Sequence, residues 1–523
     1  MTEIEDDPDL VGLRGATRYG PRWRPVGLRL NAAGRAFEAG DLDQAVAITE
    51  EVLHATRDCG DDGEALDVRA RALGNRASMA EARGDLDGAL RYSEESLAAC
   101  VDAIRLTGNL YGSTDVRSST LVNRAQTLQA LGRAEEALRD LDEVAAAGVA
   151  APANAALLPF VLHNTRGAAL MALERYTEAE TEIRLALDIA MTADPRLAGH
   201  AYASLAAIAA HTGDEHSATE HLHVARDLRE LWGSAADRAY LELNLGRLAA
   251  RAGLLDDAEE RLRRAEAEYE RAGRPTDVAE CRMSRAMIAL RQHRFTEATT
   301  MVDETIAALE RAGVVPALIE SHLVRAQVTY VVTGDLGATE DVFLRARALA
   351  AGAGAWHQTA RIDVLRAQLV ADAAPLSDEP ATLYQMALPL AVIAALGTDG
   401  FRHRYEPGAM RERWVRHVAM PALSLALRLA AEIGAGDLVF QLVEYISASV
   451  SLEAELTAYP SQEVRDEPAL PAFTAPDLST RLALPPRPRL LPGDEQTALD
   501  ALLDTAEAEY HLPLRSAEVV PTW

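Results

Sequence analysis

The sequence predicts an all-α protein that is organised as a solenoid of about eight helix hairpins and ends in a helical cap. Three observations support this prediction. Alanine and leucine dominate the apolar residues, and only 5% of the chain is aromatic, which favours helices over strands. A motif of a Gly-Asp-like turn followed by an alanine recurs eight times. A second small residue precedes each of these alanines by twelve positions, so each unit is predicted to be a helix, a turn and a second helix.

The turn motif is clearest in its first two copies, GDLDQA at 40–45 and GDLDGA at 84–89. Its glycine supplies the left-handed backbone that ends the first helix, and its aspartate can cap the second helix. The spacings between the successive alanines are 44, 48, 42, 39, 40, 40 and 40 residues. The anchoring alanines are Ala45, Ala89, Ala137, Ala179, Ala218, Ala258, Ala298 and Ala338.

The second small residue of each unit is expected where the two helices of a hairpin cross. A larger side chain at this point would push the two backbones apart. These residues are Ala33, Ala77, Ala125, Gly167, Ala206, Gly246, Ala286 and Ala326.

This combination of turn and small residues resembles the tetratricopeptide repeat over residues 29–350. The unit is longer than the usual length of about 34 residues, and the tryptophan and tyrosine of the standard repeat are mostly missing. The resemblance implies a right-handed superhelix with a concave inner face. It also implies a function in binding other polypeptides.

A series of small polar residues accompanies the repeat. When each unit is numbered so that its small residue stands eighth, the sixth position is polar in seven successive units. In peptide-binding tetratricopeptide proteins, an asparagine at this position faces the groove, and its amide can pair with the backbone of an extended peptide. The alternative is that these side chains only satisfy backbone groups or meet solvent. We call the series the polar ladder; it consists of Asn31, Asn75, Asn123, Thr165, Ser204, Asn244 and Ser284.

Arginine often occupies the seventh position, next to the polar ladder. In one interpretation the arginine stems pack between repeats, and the guanidinium groups pair with neighbouring acidic residues. In the other they form a basic stripe for an acidic ligand, which Arg247, Arg251 and Arg291 would extend on the groove side. The seventh-position arginines are Arg76, Arg124, Arg166, Arg285 and Arg325.

The charge of the chain restricts its partners. The formal net charge is −28, and the pI is about 4.9. Such a chain repels nucleic acid and anionic lipid, so we expect neither as a partner and favour a basic or amphipathic polypeptide. No run of 18 apolar residues is evident, and the acidic start MTEIEDDPDL differs from a signal peptide. We therefore expect a cytoplasmic protein without a membrane span.

The sequence offers little catalytic or metal-binding chemistry, and we expect neither an enzyme nor a cofactor. The chain contains no lysine, which excludes a Walker A lysine and a Schiff-base lysine. His216, Glu220 and His223 share one helical face and could bind zinc. We interpret them instead as a solvated polar face on the outside of a repeat. Cys281 is interpreted as a packing residue rather than a nucleophile.

The repeat fades after residue 372, and five segments are expected along the chain. They are an acidic N-terminal arm at 1–28, the solenoid at 29–372, C-terminal cap helices at 373–458, a proline-rich linker at 459–493 and a short helix with a tail at 494–523. The cap region contains a basic cluster. It either pairs with acidic neighbouring repeats or forms a docking patch for an acidic partner. The cluster consists of Arg402, Arg404, Arg411, Arg413, Trp414 and Arg416.

The C-terminal third resembles a region of actinobacterial proteins that joins tetratricopeptide repeats to a CHAT domain, which is a caspase-like peptidase. The resemblance rests on RERWVRHVAMPALSLALRLAAE, on the proline-rich linker and on the closing AEVVPTW. The His–Cys dyad of that peptidase has no counterpart in this sequence. The resemblance therefore implies that the peptidase is either a separate polypeptide or a following part of a longer protease.

These observations predict a non-catalytic scaffold that binds a protein or an extended peptide in its groove. The scaffold would recruit or regulate an effector, for which the resemblance suggests a CHAT-type peptidase. Two alternatives stay open. One is a regulatory solenoid that senses a small molecule, and the other is an enzyme that acts through Cys281 or His216.

Overall fold

A computed structural model describes residues 19–148, 157–212, 214–232, 235–405, 408–457, 487–490 and 497–520. The chain divides into two compact units. The first unit comprises Met1–Glu174, Glu178–Ile208 and His216–Leu349. The second unit comprises Ala350–Trp523 together with two short turn segments, Arg175–Thr177 and Ala209–Glu215.

Helices α1 to α16 form consecutive hairpins, as the repeat predicts. The two helices of a hairpin pack against each other in the pairs α1 with α2, α3 with α4, α5 with α6, α11 with α12 and α13 with α14. In addition, α1 contacts α3, α3 contacts α5, and α13 contacts α15. This stacking of hairpins through their first helices is the architecture of a tetratricopeptide-like helical solenoid. The helices are α1 Arg24–Glu38, α2 Leu42–Ala55, α3 Gly63–Ala82, α4 Leu86–Thr107, α5 Ser113–Ala130, α6 Ala134–Ala146, α7 Leu157–Ala172, α8 Tyr176–Ala193, α9 Ala198–His211, α10 Glu215–Trp232, α11 Ala235–Arg251, α12 Leu255–Arg271, α13 Pro275–Arg291, α14 Phe295–Ala312, α15 Val315–Thr333 and α16 Leu336–Gly352.

The turns within the hairpins have the predicted chemistry. Gly84 ends α3 with a φ of +75°, and the Asp85 carboxylate accepts a hydrogen bond from the Gly88 backbone N–H at 2.9 Å. In two repeats without the turn glycine, Glu174 and His293 adopt the same left-handed region, with φ of 65° and 59°. The backbone of the turn therefore recurs even where its favoured residue does not.

The helices cross where the small residues predict. A Cβ atom on Gly167 would contact the Ile183 side chain and would lie 3.2 Å from the carbonyl oxygen of the anchoring Ala179. A Cβ atom on Gly246 would likewise lie 3.2 Å from the carbonyl oxygen of Ala258. The predicted close approach of the two helices is thus confirmed in both of these hairpins.

The first unit begins earlier than the predicted boundary at residue 29. Tyr19 and Trp23 are buried, and the Tyr19 hydroxyl donates to the buried Asp67 carboxylate at 2.5 Å. The Trp23 indole N–H donates to Asp62 at 2.8 Å. Residues 19–28 therefore pack on α3, while the remainder of the predicted acidic arm lies outside the described residues.

The second unit is built around α18. This helix packs against α17, α20 and α22, and its residues from Ala394 to Gly400 are all buried. The elements are α17 Trp356–Ala373, α18 Pro380–Gly400, α19 Ala409–Trp414, a π-helical turn Val415–Ala419, α20 Met420–Glu432, α21 Gly436–Thr457, α22 Ala498–Tyr510, β1 Arg487–Leu490 and β2 Arg515–Val520. Short 3-10 turns lie at Pro195–Leu197, Ala374–Leu376 and Phe401–Arg404.

One described segment, Pro380–Arg404, is long and apolar enough to cross a membrane by length and composition alone. No run of 18 apolar residues is evident in the sequence, and no membrane span was expected, whereas this segment passes a test of its average hydropathy. Half of its most apolar window is buried inside the protein. The central helix of a protein core passes the same test, and the packing of α18 fits that explanation.

The C-terminal elements add a small sheet to the predicted all-α architecture. β1 and β2 pair in parallel, with Arg487 opposite Arg515. Helix α22 lies between them in sequence and packs on α18, where Gly397 leaves room for the buried ring of Tyr510. The predicted linker at 459–493 is described only at 487–490, which form β1.

Candidate functional site

The first three residues of the polar ladder lie together. Asn31 on α1, Asn75 on α3 and Asn123 on α5 line one cavity of about 480 Å³ in the first unit. The three helices are the first helices of successive hairpins, so the same helical position recurs along the stack. We call this site the asparagine cavity.

Two of the three amides in this cavity, those of Asn75 and Asn123, are only partly occupied by the protein itself. Asn75 is half-buried and has no side-chain hydrogen bond within the described part of the chain. The Asn123 amide N–H donates to the Ser78 hydroxyl at 3.4 Å, which is a long hydrogen bond. Both side chains therefore retain donor and acceptor capacity for a bound group.

The other residues of the polar ladder are engaged with the protein. Thr165 is only 3% exposed, and its hydroxyl accepts a hydrogen bond from Gln126 at 3.1 Å. The Ser204 hydroxyl donates to Asn164 at 3.0 Å. For these two positions the structure favours the alternative in which the side chain satisfies neighbouring groups.

Asn244 and Ser284 are engaged in a similar way. The Asn244 amide donates to the Tyr240 carbonyl at 2.9 Å, one turn earlier in its own helix. The Ser284 hydroxyl donates to the Glu280 carbonyl at 3.1 Å and accepts from the Arg247 guanidinium at 3.1 Å. The polar ladder therefore contains two kinds of residue. Asn75 and Asn123 keep hydrogen-bonding capacity toward the cavity, whereas Thr165, Ser204, Asn244 and Ser284 are bonded within the protein.

Charged residues complete the asparagine cavity, and the sequence reasoning missed them. Arg35, Glu38, Arg71 and Asp115 line its walls. Arg35 and Glu38 follow Asn31 by four and seven residues, so they lie on the same helical face. That spacing was available in the sequence and could have identified them.

These charges are balanced in sign, two of each. The Arg71 guanidinium group already has partners within the protein, because it pairs with Asp67 at 2.9 Å and donates to the Tyr111 carbonyl at 2.9 Å. Arg35 is exposed and has no acidic partner within the described residues. A bound group can therefore meet one unpaired guanidinium group at the α1 wall.

The seventh-position arginines pair with acidic residues, and this favours the structural interpretation of the basic stripe. Arg124 pairs with Asp140 at 2.6 Å, and Arg285 pairs with Glu259 at 2.9 Å. Four of the five reach a carboxylate on the preceding hairpin, so they link adjacent repeats. The remaining pairs are Arg76 with Glu50, Arg166 with Asp142 and Glu182, and Arg325 with Asp303.

The arginines proposed to extend that stripe are also largely engaged. Arg247 pairs with Glu280 at 3.4 Å, and Arg291 donates to the Ala250 carbonyl at 2.5 Å. Arg251 is exposed. A continuous basic stripe for an acidic ligand is therefore not present along these repeats of the described chain.

The predicted docking patch is largely internal. Arg402, Arg411 and Trp414 are buried, so these three residues do not face a partner. The Trp414 indole N–H donates to the Thr398 carbonyl at 2.9 Å. Only Arg404 and Arg416 of the six residues are exposed.

The buried part of this cluster pairs within the second unit. Arg402 lies 3.4 Å from Asp399, and Arg413 lies 3.3 Å from Asp214. Burial and the guanidinium groups of Arg402 and Arg411 lower the pKa of His403 to about 3. His403 is therefore neutral at physiological pH, and its Nδ1 lies 3.1 Å from Arg411 as an acceptor.

The candidate metal and nucleophile residues are not assembled into a reactive site. His216 is 84% exposed and pairs with Glu220 at 3.3 Å. No group of three metal-ligating side chains is present among the residues that the structure describes. Burial raises the pKa of the Cys281 thiol to about 12, which disfavours a nucleophilic thiolate.

The stacked hairpins thus define a tetratricopeptide-like helical solenoid with a polar cavity on its first three repeats. No family model matches the sequence. No curated protein matches it either.

Several solved structures are similar in fold. A Rap protein complexed with competence and sporulation factor is 17% identical over 71% of this chain and 99% of its own, with a TM-score of 0.48. The apo form of the quorum sensor NprR from B. thuringiensis is 14% identical over 70% of this chain and 99% of its own, with a TM-score of 0.42. A human IFIT1 dimer with PPP-AAAA is 16% identical over 87% of this chain and 96% of its own, with a TM-score of 0.39. At these identities and TM-scores, the ligands named for those proteins are not evidence for the ligand of this chain.

Proposed function

We propose that this protein binds an extended segment of another polypeptide in the asparagine cavity. The observation that carries the proposal is the meeting of Asn31, Asn75 and Asn123 in one cavity of about 480 Å³. Each carboxamide offers one acceptor oxygen and two donor hydrogens. An extended backbone presents the matching N–H and C=O groups at regular intervals, so successive amides can bind it without reading its side chains.

The charge of the protein indicates the kind of segment. The chain carries a net charge of −28, which steers basic or amphipathic segments toward it and repels nucleic acid. Glu38 and Asp115 provide two carboxylates at the cavity wall, and Arg35 provides a guanidinium group. We therefore propose a segment of mixed but net basic character.

We further propose that the bound polypeptide belongs to an effector that the protein recruits or restrains in the cytoplasm. The C-terminal resemblance to the region that precedes CHAT domains suggests a caspase-like peptidase as this effector. The protein itself contributes binding and no catalytic step. Finding a CHAT-type peptidase encoded beside this chain, and binding of that purified peptidase, would support this part of the proposal.

A peptide display experiment tests the binding function. The purified protein selects from a phage library of random 12-residue peptides, and isothermal titration calorimetry measures the dissociation constants of the recovered peptides. We expect the variant N31A/N75A/N123A to weaken binding at least 30-fold. This loss corresponds to about 2 kcal/mol, or less than 1 kcal/mol per neutral hydrogen-bonding site.

The polar ladder offers a matched control. Asn244 and Ser284 already bond to their own helix, so the double variant N244A/S284A should bind the same peptides with unchanged affinity. Circular dichroism should show equal helicity for both variants. Equal losses in the two variants, or no loss in the triple variant, would contradict the asparagine cavity as the peptide site.

A further inference from the structure

A second cavity lies in the first unit, away from the asparagine cavity. It has a volume of about 370 Å³ and is lined chiefly by α13 and α14, which form the seventh hairpin. Arg83 also lines it, from the turn between α3 and α4 in the second hairpin. We call it the seam cavity, because residues distant in sequence meet at its wall.

The two hairpins are in contact beside this cavity. A Cβ atom on Gly84 would lie 3.3 Å from the Pro275 ring and 3.5 Å from the Ala312 methyl group. Burial raises the pKa of the neighbouring Glu81 carboxyl to about 7, against the opposing effects of a hydrogen bond from Thr127 and the charge of Arg274. Because residues of both hairpins line the seam cavity, a ligand in it would touch the second and the seventh hairpin.

One buried group on the cavity wall has an unmet hydrogen-bonding requirement. Thr305 on α14 lines the cavity and is 1% exposed. Its hydroxyl has no hydrogen-bond partner within the described residues. Other threonines bond to the carbonyl four residues earlier, as Thr300 does to Thr296 at 3.0 Å. A buried hydroxyl without a partner is costly, and a ligand acceptor would satisfy it.

The charges on the wall are positive in excess. Arg83, Arg274, Arg282 and Arg311 line the cavity, against only two carboxylates, Glu270 and Glu304. Three of these arginines have acidic partners: Arg83 pairs with Asp43, Arg274 with Asp277 and Arg282 with Glu266 and Glu270.

Arg311 is different. Within the described residues its guanidinium group makes one hydrogen bond, to the Ala307 carbonyl at 3.1 Å, and no ion pair. Beside these polar groups, Val278, Ala279 and Ala308 provide an apolar surface. A cavity of this volume that combines an apolar surface with convergent polar groups suits a small organic molecule.

We propose that the seam cavity binds a small organic anion, whose carboxylate or phosphate meets Arg311 and the Thr305 hydroxyl. The apolar part of the molecule packs on Val278, Ala279 and Ala308. Because the site includes Arg83, binding links the second hairpin to the seventh and stabilises the contact between these two hairpins. The site is separate from the asparagine cavity, so it would give the scaffold a small-molecule input that is independent of peptide binding.

Simple probes test the chemistry of the site. Phenyl phosphate and phenylacetate carry the proposed anionic groups, and phenylacetamide is a neutral analogue of phenylacetate. At 10 mM, we expect at least one of the two anions to raise the thermal unfolding midpoint of the full chain and to give a measurable dissociation constant by ligand-observed NMR. Phenylacetamide should do neither. Equal effects of phenylacetamide, or no binding of either anion, would overturn the proposal.

Matched variants locate the bound probe. Thr305→Val and Arg311→Gln should each weaken binding of the anion at least fivefold. Their controls, Thr300→Val on the same helix and Arg271→Gln on α12, should bind as the unaltered protein does. The variant N31A/N75A/N123A should also bind the probe normally, which separates this site from the proposed peptide site. Inorganic phosphate serves as a salt control. If it shifts the thermal unfolding midpoint equally in the unaltered protein and in Thr305→Val, the shift is a salt effect, and this result would also count against the proposal.

The hydroxyl of Thr305 allows one more distinction. Because it has no partner in the free protein, Thr305→Val should leave the thermal midpoint without probe unchanged or slightly raised. A structural role for this hydroxyl would instead lower that midpoint. Such a decrease would contradict the proposal, because the group would then be needed for folding rather than for a ligand.

Discussion

Single residues set the distance between helices in this fold. In the two hairpins whose small residue is a glycine, that residue faces the carbonyl of the anchoring alanine: Gly167 faces Ala179, and Gly246 faces Ala258. These positions could be predicted from the sequence because a small residue stands twelve positions before the anchoring alanine in all eight units. The requirement for a small residue is local to one hairpin, so it leaves a regular signal.

A pair of glycine substitutions tests this requirement. Gly167→Ala adds a methyl group that contacts Ile183 and lies 3.2 Å from the Ala179 carbonyl oxygen, which cannot move without shifting α8. Overpacking of this kind costs about 1–3 kcal/mol, which exceeds the gain in helix propensity of up to about 1 kcal/mol. We expect a lower midpoint in urea unfolding.

The control for this test is Gly34→Ala in α1. A Cβ atom there has no neighbour within 4 Å, so only the helix-propensity gain remains, and stability should rise by about 0.5–1 kcal/mol. The same substitution should therefore have opposite effects at two helical positions. Equal effects at Gly167 and Gly34 would show that the crossing point does not need a small residue.

The polar ladder shows where residue-level prediction stops. All seven positions have the same place in the repeat, yet they differ in their surroundings: Asn31, Asn75 and Asn123 line one cavity. Thr165 is covered by Gln126, which belongs to the neighbouring hairpin. Whether a ladder residue is open depends on the length and rotamer of such neighbours. A single sequence position does not encode either of them.

At the level of elements, the hairpins were predictable and the terminal elements were not. Each hairpin repeats a pattern, whereas the ends of the chain pack through unique contacts. The N-terminal segment is fastened by Tyr19 to Asp67, which lie 48 positions apart. The strands β1 and β2 pair across the intervening helix α22. Contacts of this kind leave no periodic pattern in the sequence. The N-terminal segment and the two strands were therefore predicted to be parts of an arm, a linker and a tail.

The stability of helix α22 can be tested through the residues at its own N-terminus. The Thr497 hydroxyl accepts from the Asp500 N–H at 3.2 Å, and the Asp500 carboxylate accepts from the Thr497 N–H at 3.1 Å. This reciprocal pair is a capping box, which satisfies two backbone donors at the helix start. Thr497→Ala should destabilise α22 by about 1 kcal/mol. Faster amide hydrogen exchange in residues 498–510 would report the loss.

Thr505→Ala is the matched substitution on the same helix. Thr505 is exposed, and among the residues that the structure describes its hydroxyl bonds only to the Ala501 carbonyl, at 2.9 Å. Alanine has the higher helix propensity, so this variant should exchange at the same rate or more slowly. Faster exchange in both variants would mean that α22 responds to any threonine loss and that the capping box has no special role.

At the scale of the whole molecule, a large charge imbalance coexists with many ion pairs. The chain has 80 acidic and 52 basic residues. The carboxylates in excess of the basic residues carry unbalanced charge and repel one another. The seventh-position arginines form pairs that are partly buried; in the pair of Arg124 with Asp140, the side chains are 23% and 9% exposed. Salt screens exposed charges far more than buried ones. The repulsion between exposed carboxylates should therefore respond more strongly to ionic strength than the partly buried ion pairs do.

This difference gives a prediction for the stability of the complete chain. Raising NaCl from 0.01 to 0.1 M shortens the Debye length from about 30 Å to about 10 Å. The long-range repulsion between unpaired carboxylates should weaken, while partly buried pairs such as Arg124 with Asp140, at 2.6 Å, should persist. We expect the thermal unfolding midpoint to rise by several degrees over this range. KCl should have the same effect, since the change arises from screening, and equal osmolality of sorbitol should not reproduce it. A midpoint that falls with salt would show instead that the ion pairs between hairpins contribute more to stability than the net charge of −28 removes.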